Sequence, residues 1–132
     1  MEAQELHRGR LIDHIQLVVA DLVASRRFYE ALFQVLQIPI GGSADEHFWF
    51  DELFVSSADS PEAAGKLTGR HHLAFQAEDR ATVDAFYRAG LAAGGRDNGA
   101  PGLRPLYHPN YYGAFVLDPD GINVEAVCHR PE

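Results

Sequence analysis

Cysteine and lysine are almost missing from this sequence. The one cysteine, Cys128, has no partner for an internal disulfide, and paired cysteines of the zinc-finger kind are excluded. The one lysine, Lys66, belongs to a total of 11 Lys plus Arg set against 19 acids, a net charge of −8. Such a surface repels nucleic acid and anionic membranes, so neither is expected as a partner. Long apolar runs are lacking as well: none approaches the roughly 20 residues of a membrane span. The opening segment MEAQELHRGRLIDH has no apolar stretch of the signal-peptide kind. A soluble cytoplasmic protein is the expectation. No glycine-rich phosphate loop occurs, since Gly41-Gly42 and Gly94-Gly95 fit neither dinucleotide nor Walker spacing. What is present is an apolar content of 46% over 132 residues, enough for one domain or two small halves sharing a core. Seven histidines are many for this length, although His7 and His129 lie near the ends.

The chain matches itself at an offset of 58 residues. His14 falls on His72, Asp21 on Asp79, Phe28-Tyr29 on Phe86-Tyr87 and Ala31 on Ala89. These five identities lie within 20 pairs, where chance gives about one. Each copy opens with a strand, 12–19 and 71–77, then an aspartate suited to cap a helix N-terminus, Asp21 and Asp79. The second helix carries Val83, Phe86, Tyr87, Gly90 and Leu91 as one apolar stripe and ends at Gly94-Gly95. The first places Leu22, Ser25, Tyr29, Leu32, Phe33 and Leu36 inward. Strands are expected at 46–50, 53–57, 112–117 and 122–127, with Phe48, Trp49 and Phe50 in the core. Residues 58–70 read as a linker, and the Gly/Pro-rich 97–110 as a mobile flap. The fold class is therefore α+β, a strand–helix–strands unit used twice, about 10–57 and 70–128, in one domain.

Alternation along strands then places three side chains together. His14 shares a face with Gln16 and Val18, and His72 with Ala74 and Gln76, opposite the residues that face the helices. Glu125, in DPDGINVEAV, shares a face with Asn123 and Val127. Two imidazoles at equivalent repeat positions and a carboxylate on one surface suit a divalent transition metal with open coordination positions. His71 rivals His72 if the strand phase slips by one residue.

The stretches IDHIQLVVADLVASRRFYEAL (12–32), HHLAFQAEDRATVDAFY (71–87) and GAFVLDPDGINVEAV (113–127) resemble the vicinal oxygen chelate superfamily, which includes glyoxalase I, fosfomycin thiol transferases, extradiol dioxygenases and bleomycin-binding proteins. They cover about two fifths of the chain. The resemblance implies paired βαβββ modules whose sheet curls around a metal cleft, helices outside, with His14, His72 and Glu125 as ligands. Glyoxalase I enzymes usually add a fourth acid on the last strand of the first module. Here that strand reads DELFVSS, and the matching count past the turn falls near Val55 or Ser56; Glu52 is the nearest acid.

The reading that follows is a metal-dependent enzyme acting on a small oxygenated substrate, dioxygenase-like through its two-His-one-Glu set, with iron or manganese favoured over zinc, nickel or cobalt. A glyoxalase-like lyase or isomerase using Glu52 is the second reading, and a metal-free drug-binding protein the third. Beyond the ligands, Tyr112 or His108 is expected to supply acid–base chemistry, and Arg104 and Tyr107 to contact an anionic substrate from the flap. A homodimer is expected, because it covers sheet edges.

Overall fold

The computed structural model describes residues 11–60, 67–69 and 71–132. His7, Lys66 and most of the expected linker, 61–66 and 70, lie outside the described residues. The chain divides into two compact units, Met1–Gly69 and Arg70–Glu132. Each has the same element order. The first is β1 (Ile15–Val19), α1 (Leu22–Val35), β2 (Gly42–Ser43), β3 (His47–Phe50) and β4 (Leu53–Ser57). The second is β5 (His72–Gln76), α2 (Arg80–Ala92), β6 (Arg96–Leu103), β7 (Tyr112–Leu117) and β8 (Asn123–Cys128). The βαβββ unit read from the repeat is thus present twice, each copy with its own four-stranded mixed sheet.

In both units the last strand is inserted inside the sheet: the orders are β1-β4-β3-β2 and β5-β8-β7-β6. It pairs parallel to the first strand and antiparallel to the strand before it. Both expected aspartates cap their helices. Asp21 accepts from the Ala24 N–H at 3.1 Å, and Asp79 from the Thr82 N–H at 2.8 Å and hydroxyl at 2.6 Å. Those two bonds from Thr82 hold the Asp79 carboxyl below its ordinary range. The second helix stops where Gly94 takes φ +100°, letting Gly95 N–H reach the Gly90 carbonyl at 2.8 Å.

The first unit packs α1 through Phe28, Tyr29, Leu32 and Phe33 on Leu17, Val19, Phe48, Phe50, Leu53 and Val55, all buried. Phe33 and Phe50 bring the aromatic rings of helix and sheet to 4.6 Å. In the second, Val83, Phe86 and Gly90 of α2 are buried with Ala114, Val116, Val124 and Ala126. The helical stripe is narrower than expected, since Leu91 is exposed and Tyr87 donates from its hydroxyl to Asp97.

Two corrections concern strands. The segment expected as a flap begins with a strand, β6, whose pairing with β7 shifts register twice, between Asp97 and Gly99 and between Gly99 and Gly102. Gly99 (φ +151°), Pro101 and Gly102 break alternation, but an edge strand tolerates them at bulges. Only 104–111 is loop, and Arg104 N–H to Tyr111 C=O (2.7 Å) closes it. Trp49 also departs from expectation. Phe48 and Phe50 are core, but Trp49 points to the opposite face, stacked on Phe54 at 5.4 Å. Gly41 and Gly42 make room for its indole, which a Cβ at either position would overlap.

Candidate metal centre

The centre of the second unit is built by a turn. In Asp118-Pro119-Asp120-Gly121, the buried Asp118 carboxylate accepts the N–H groups of Asp120 and Ile122, at 2.8 and 2.9 Å. Gly121 completes it at φ +83°, donating to the Asp118 carbonyl. The turn fixes Leu117 opposite Asn123, and from there Phe115 opposite Glu125. On the other side β5 sets His72 beside Asn123 and Ala74 beside Glu125. His72, Ala74, Asn123, Glu125 and Phe115 therefore share the face away from α2.

Glu125 is completely buried and fully bonded. Its Oε2 lies 2.6 Å from His72 Nε2 and accepts from Asn123 Nδ2 at 3.2 Å; its Oε1 accepts the Tyr111 hydroxyl at 2.6 Å. Asn123 is itself held by Asn98 Nδ2 at 2.9 Å. A charge this deep needs such partners, because an unpaired buried carboxylate costs several kcal/mol. Burial, then the Glu125 carboxylate, push the Tyr111 phenol well above the ordinary tyrosine range, so it remains a donor. The His72 side chain is 64% exposed, so the pair joins a solvent-facing imidazole to a buried carboxylate.

His14 stands in the first unit, just before β1. Its Nδ1 is 2.6 Å from Asp13 Oδ1, and its ring meets Phe54 edge-on at 5.5 Å. A carboxylate on Nδ1 orients an imidazole so that Nε2 is presented outward, the habit of metal-ligating histidines. Within each unit, among the described residues, no group of three or more His, Cys, Asp or Glu side chains gathers at one point. What the second unit does bring together is one imidazole and one carboxylate, with their ligating atoms adjacent. The two donor types suit a divalent transition metal, but N and O ligands about 2.0–2.2 Å from a tetrahedral ion stand about 3.4 Å apart, so an ion would replace this 2.6 Å contact and part the two atoms.

The other expected residues fall as follows. His71 faces the helix side, where burial lowers its pKa against the opposing pull of Asp118, so it is His72 and not His71 that shares the face of Glu125. Tyr112 does not reach the Glu125 face. It follows β7 alternation toward α2, and its hydroxyl donates to Asp84 at 2.6 Å, which raises its pKa. Tyr111, one residue earlier, is the tyrosine whose hydroxyl reaches Glu125. His108 is exposed, its Nδ1 accepting from Asn110 N–H and its ring against His129. Tyr107 is exposed and packs on Tyr111 at 5.0 Å. Arg104 lies over the Phe115 ring, 5.1 Å from its centroid. In the first unit, Gln16 pairs with Phe54 as Ala74 pairs with Glu125. The counterpart of Glu125 is therefore Phe54, not Val55 or Ser56. Glu52, the counterpart of Asn123, gives its carbonyl to Ile15 N–H at 2.7 Å.

The sequence of the Glyoxalase/Bleomycin resistance protein/Dioxygenase superfamily matches across residues 11–126. The chain belongs to this superfamily. Vicinal oxygen chelate proteins, as the group is also known, commonly hold a divalent metal, and the relatives agree with the assignment. An uncharacterized Bacillus subtilis protein, YqjT, is 33% identical, with 87% of this chain and 96% of its own covered. A glyoxalase/bleomycin resistance protein structure from Albidiferax ferrireducens T118 superposes with a TM-score of 0.73 at 30% identity, covering 89% of this chain and 97% of its own. The lactoylglutathione lyase of Agrobacterium tumefaciens shares the fold, with a TM-score of 0.63 at 20% identity over 91% and 94% of the two chains. No helix among the described residues is long and apolar enough to cross a membrane.

Proposed function

We propose that this vicinal oxygen chelate protein is a divalent-metal-dependent enzyme acting on a small oxygenated substrate. His14, His72 and Glu125 are its protein ligands, and iron or manganese is the favoured ion over zinc, nickel or cobalt. The observation that carries this reading is the fully buried Glu125 carboxylate, 2.6 Å from the imidazole of an otherwise exposed His72. A buried ion pair is weak evidence of a stabilising role, because replacing the whole pair by apolar residues is often neutral or stabilising. When bound, the ion supplies Lewis-acid stabilisation of charge on substrate oxygens.

The chain's own residues do the rest. Tyr111 holds Oε1 and fixes the carboxylate plane, so Oε2 keeps its direction. Asn123, braced by Asn98, supports the same oxygen from the side. Phe54 at the position matching Glu125 supports a set of two imidazoles and one carboxylate, and hence dioxygenase-type chemistry. A glyoxalase-like lyase or isomerase on a thiol adduct would need Glu52 as its second acid. A metal-free drug-binding role has only the net acidity in its favour. A soluble cytoplasmic homodimer is the proposed state, with the edge strands covered by a second copy.

The test is elemental analysis of protein purified without chelator or affinity metal, beside His72→Ala and Glu125→Gln. About one iron or manganese per chain, lost in both variants, is expected, followed by dioxygen uptake with catechol-like substrates. A wild-type chain that takes up no metal even after reconstitution refutes the reading. Turnover of such substrates without dioxygen uptake refutes the dioxygenase form of it.

A further inference from the structure

The charge of the substrate follows from an arginine lodged in a slot. A Cβ on Gly99 would lie 3.3 Å from Arg104 Nη2 and 3.0 Å from the Phe115 ring; a Cβ on Gly102 would lie 3.0 Å from Arg104 Nη1. Two missing side chains on β6 thus make room for the guanidinium. Phe115 forms the floor, 5.1 Å from Cζ to ring centroid, and Nη2 donates to the Ala100 carbonyl at 2.7 Å. These contacts remove much of the rotamer freedom an arginine otherwise loses on binding. No carboxylate among the described residues lies within ion-pair distance of it.

Its position is the second point. Phe115 is the cross-strand partner of Glu125, and its ring meets His72 edge-on at 6.3 Å. The guanidinium therefore sits on the same face as the His72–Glu125 pair. Arg80, the other arginine stacked on a ring, lies over Tyr112, which bonds to α2 on the opposite face. In a chain of net charge −8 the long-range field disfavours an anion. Binding one here requires a short-range, pre-placed cation, which Arg104 is.

We propose that Arg104 is the anion subsite of this centre, and that the substrate is a small molecule with an oxoanion head, a carboxylate or a phosphonate. The head takes the N–H groups of Arg104 not used by Ala100. The oxygens next to it then face His72 and Glu125. This deepens the metal-enzyme reading and rests on it for the second half only.

The test uses the full chain after metal removal by EDTA, with acetate, methylphosphonate and neutral acetamide as probes. The Arg104 Nε–H NMR signal, identified by its loss in Arg104→Gln, is followed during each titration. A saturable shift is expected with an anion and not with acetamide, and which anion binds more tightly distinguishes carboxylate from phosphonate. Arg104→Gln weakens binding, followed on neighbouring backbone signals, by about tenfold or more, and Arg104→Lys restores part of it. Gly102→Ala, which keeps the charge but crowds the slot, weakens it too while thermal stability stays near wild type. Equal binding in wild type and Arg104→Gln, or equal response to acetamide, overturns the inference. Metal uptake of the same wild-type sample is measured separately. Failure of anion binding with metal uptake intact sinks the subsite alone; failure of metal uptake with anion binding intact sinks only the metal reading.

Discussion

Removing one hydroxyl, Tyr111→Phe, isolates what the buried carboxylate needs. The ring stays, and with it the contacts to Tyr107 and His129 at 5.0 and 5.4 Å. Only the 2.6 Å bond to Glu125 Oε1 is lost. A hydrogen bond to a charged group contributes about 1.5–3 kcal/mol, and an abandoned buried acceptor carries the desolvation cost on top. Tyr111 itself is only half-buried, so water replaces part of the bond, and the lower half of that range, about 2 kcal/mol, is the expected loss. For a chain of this size that corresponds to a drop of roughly 5–10 °C in Tm. The decisive assay is a double-mutant cycle with Glu125→Gln by urea unfolding of the metal-free protein. If the bond acts through the carboxylate charge, Tyr111→Phe costs about 1 kcal/mol less in the Glu125→Gln background. A coupling energy indistinguishable from zero would show that the phenol packs there without holding Glu125, and the account of the centre would fall with it.

Three further outcomes are expected. Gly41→Ala pushes aside the only tryptophan, Trp49, so emission shifts to the red, whereas Gly69→Ala, which meets nothing within 4 Å, leaves the spectrum unchanged. Spectrophotometric titration should find Tyr87, Tyr111 and Tyr112 ionising later than free tyrosine. Their folded values are raised, so the stability they confer is complete below about pH 10 and lost as pH rises through the folded values; unfolding that does not ease above pH 10 refutes this. Asp79 has the opposite sign: its folded value is lowered, so its contribution is present above the ordinary carboxylate range and disappears as pH falls through the folded value. Asp79→Ala should therefore lower Tm at neutral pH and match wild type in strong acid.

Most of the fold was legible because its signals are local. Helix caps, the Asp118–Gly121 turn and strand alternation each act over a few residues, and duplication let one half check the other. Alternation from Gly121 put Glu125 on the correct face because β8 is regular. The same count failed in the first unit. There the turn between Phe50 and Leu53 has two residues, against five between Leu117 and Asn123, so the matching position is Phe54. Strand β6 was hidden because bulges let glycine and proline into an edge, where the sequence reads as loop. Tyr111 and Arg104 were harder still. Both lie outside regular strands, where no periodicity assigns a face, and their positions follow from the loop closure between them and from the space left by Gly99 and Gly102.

The insertion of the last strand has a kinetic consequence. Because β8 lies between β5 and β7, the second sheet is not a hairpin extended at its edge but a sheet closed from within. Strand β5 has no neighbour until β8 arrives, and joining them means closing a loop that contains α2, β6 and β7. Such distant pairing is slow relative to helix and hairpin formation. His72 and Glu125 meet in that same step, so an incompletely folded chain has no preformed pair with which to trap an ion. The His72–Glu125 contact and the end of folding of this unit become one event, and the rate at which the contact appears reports the slowest step in building the unit.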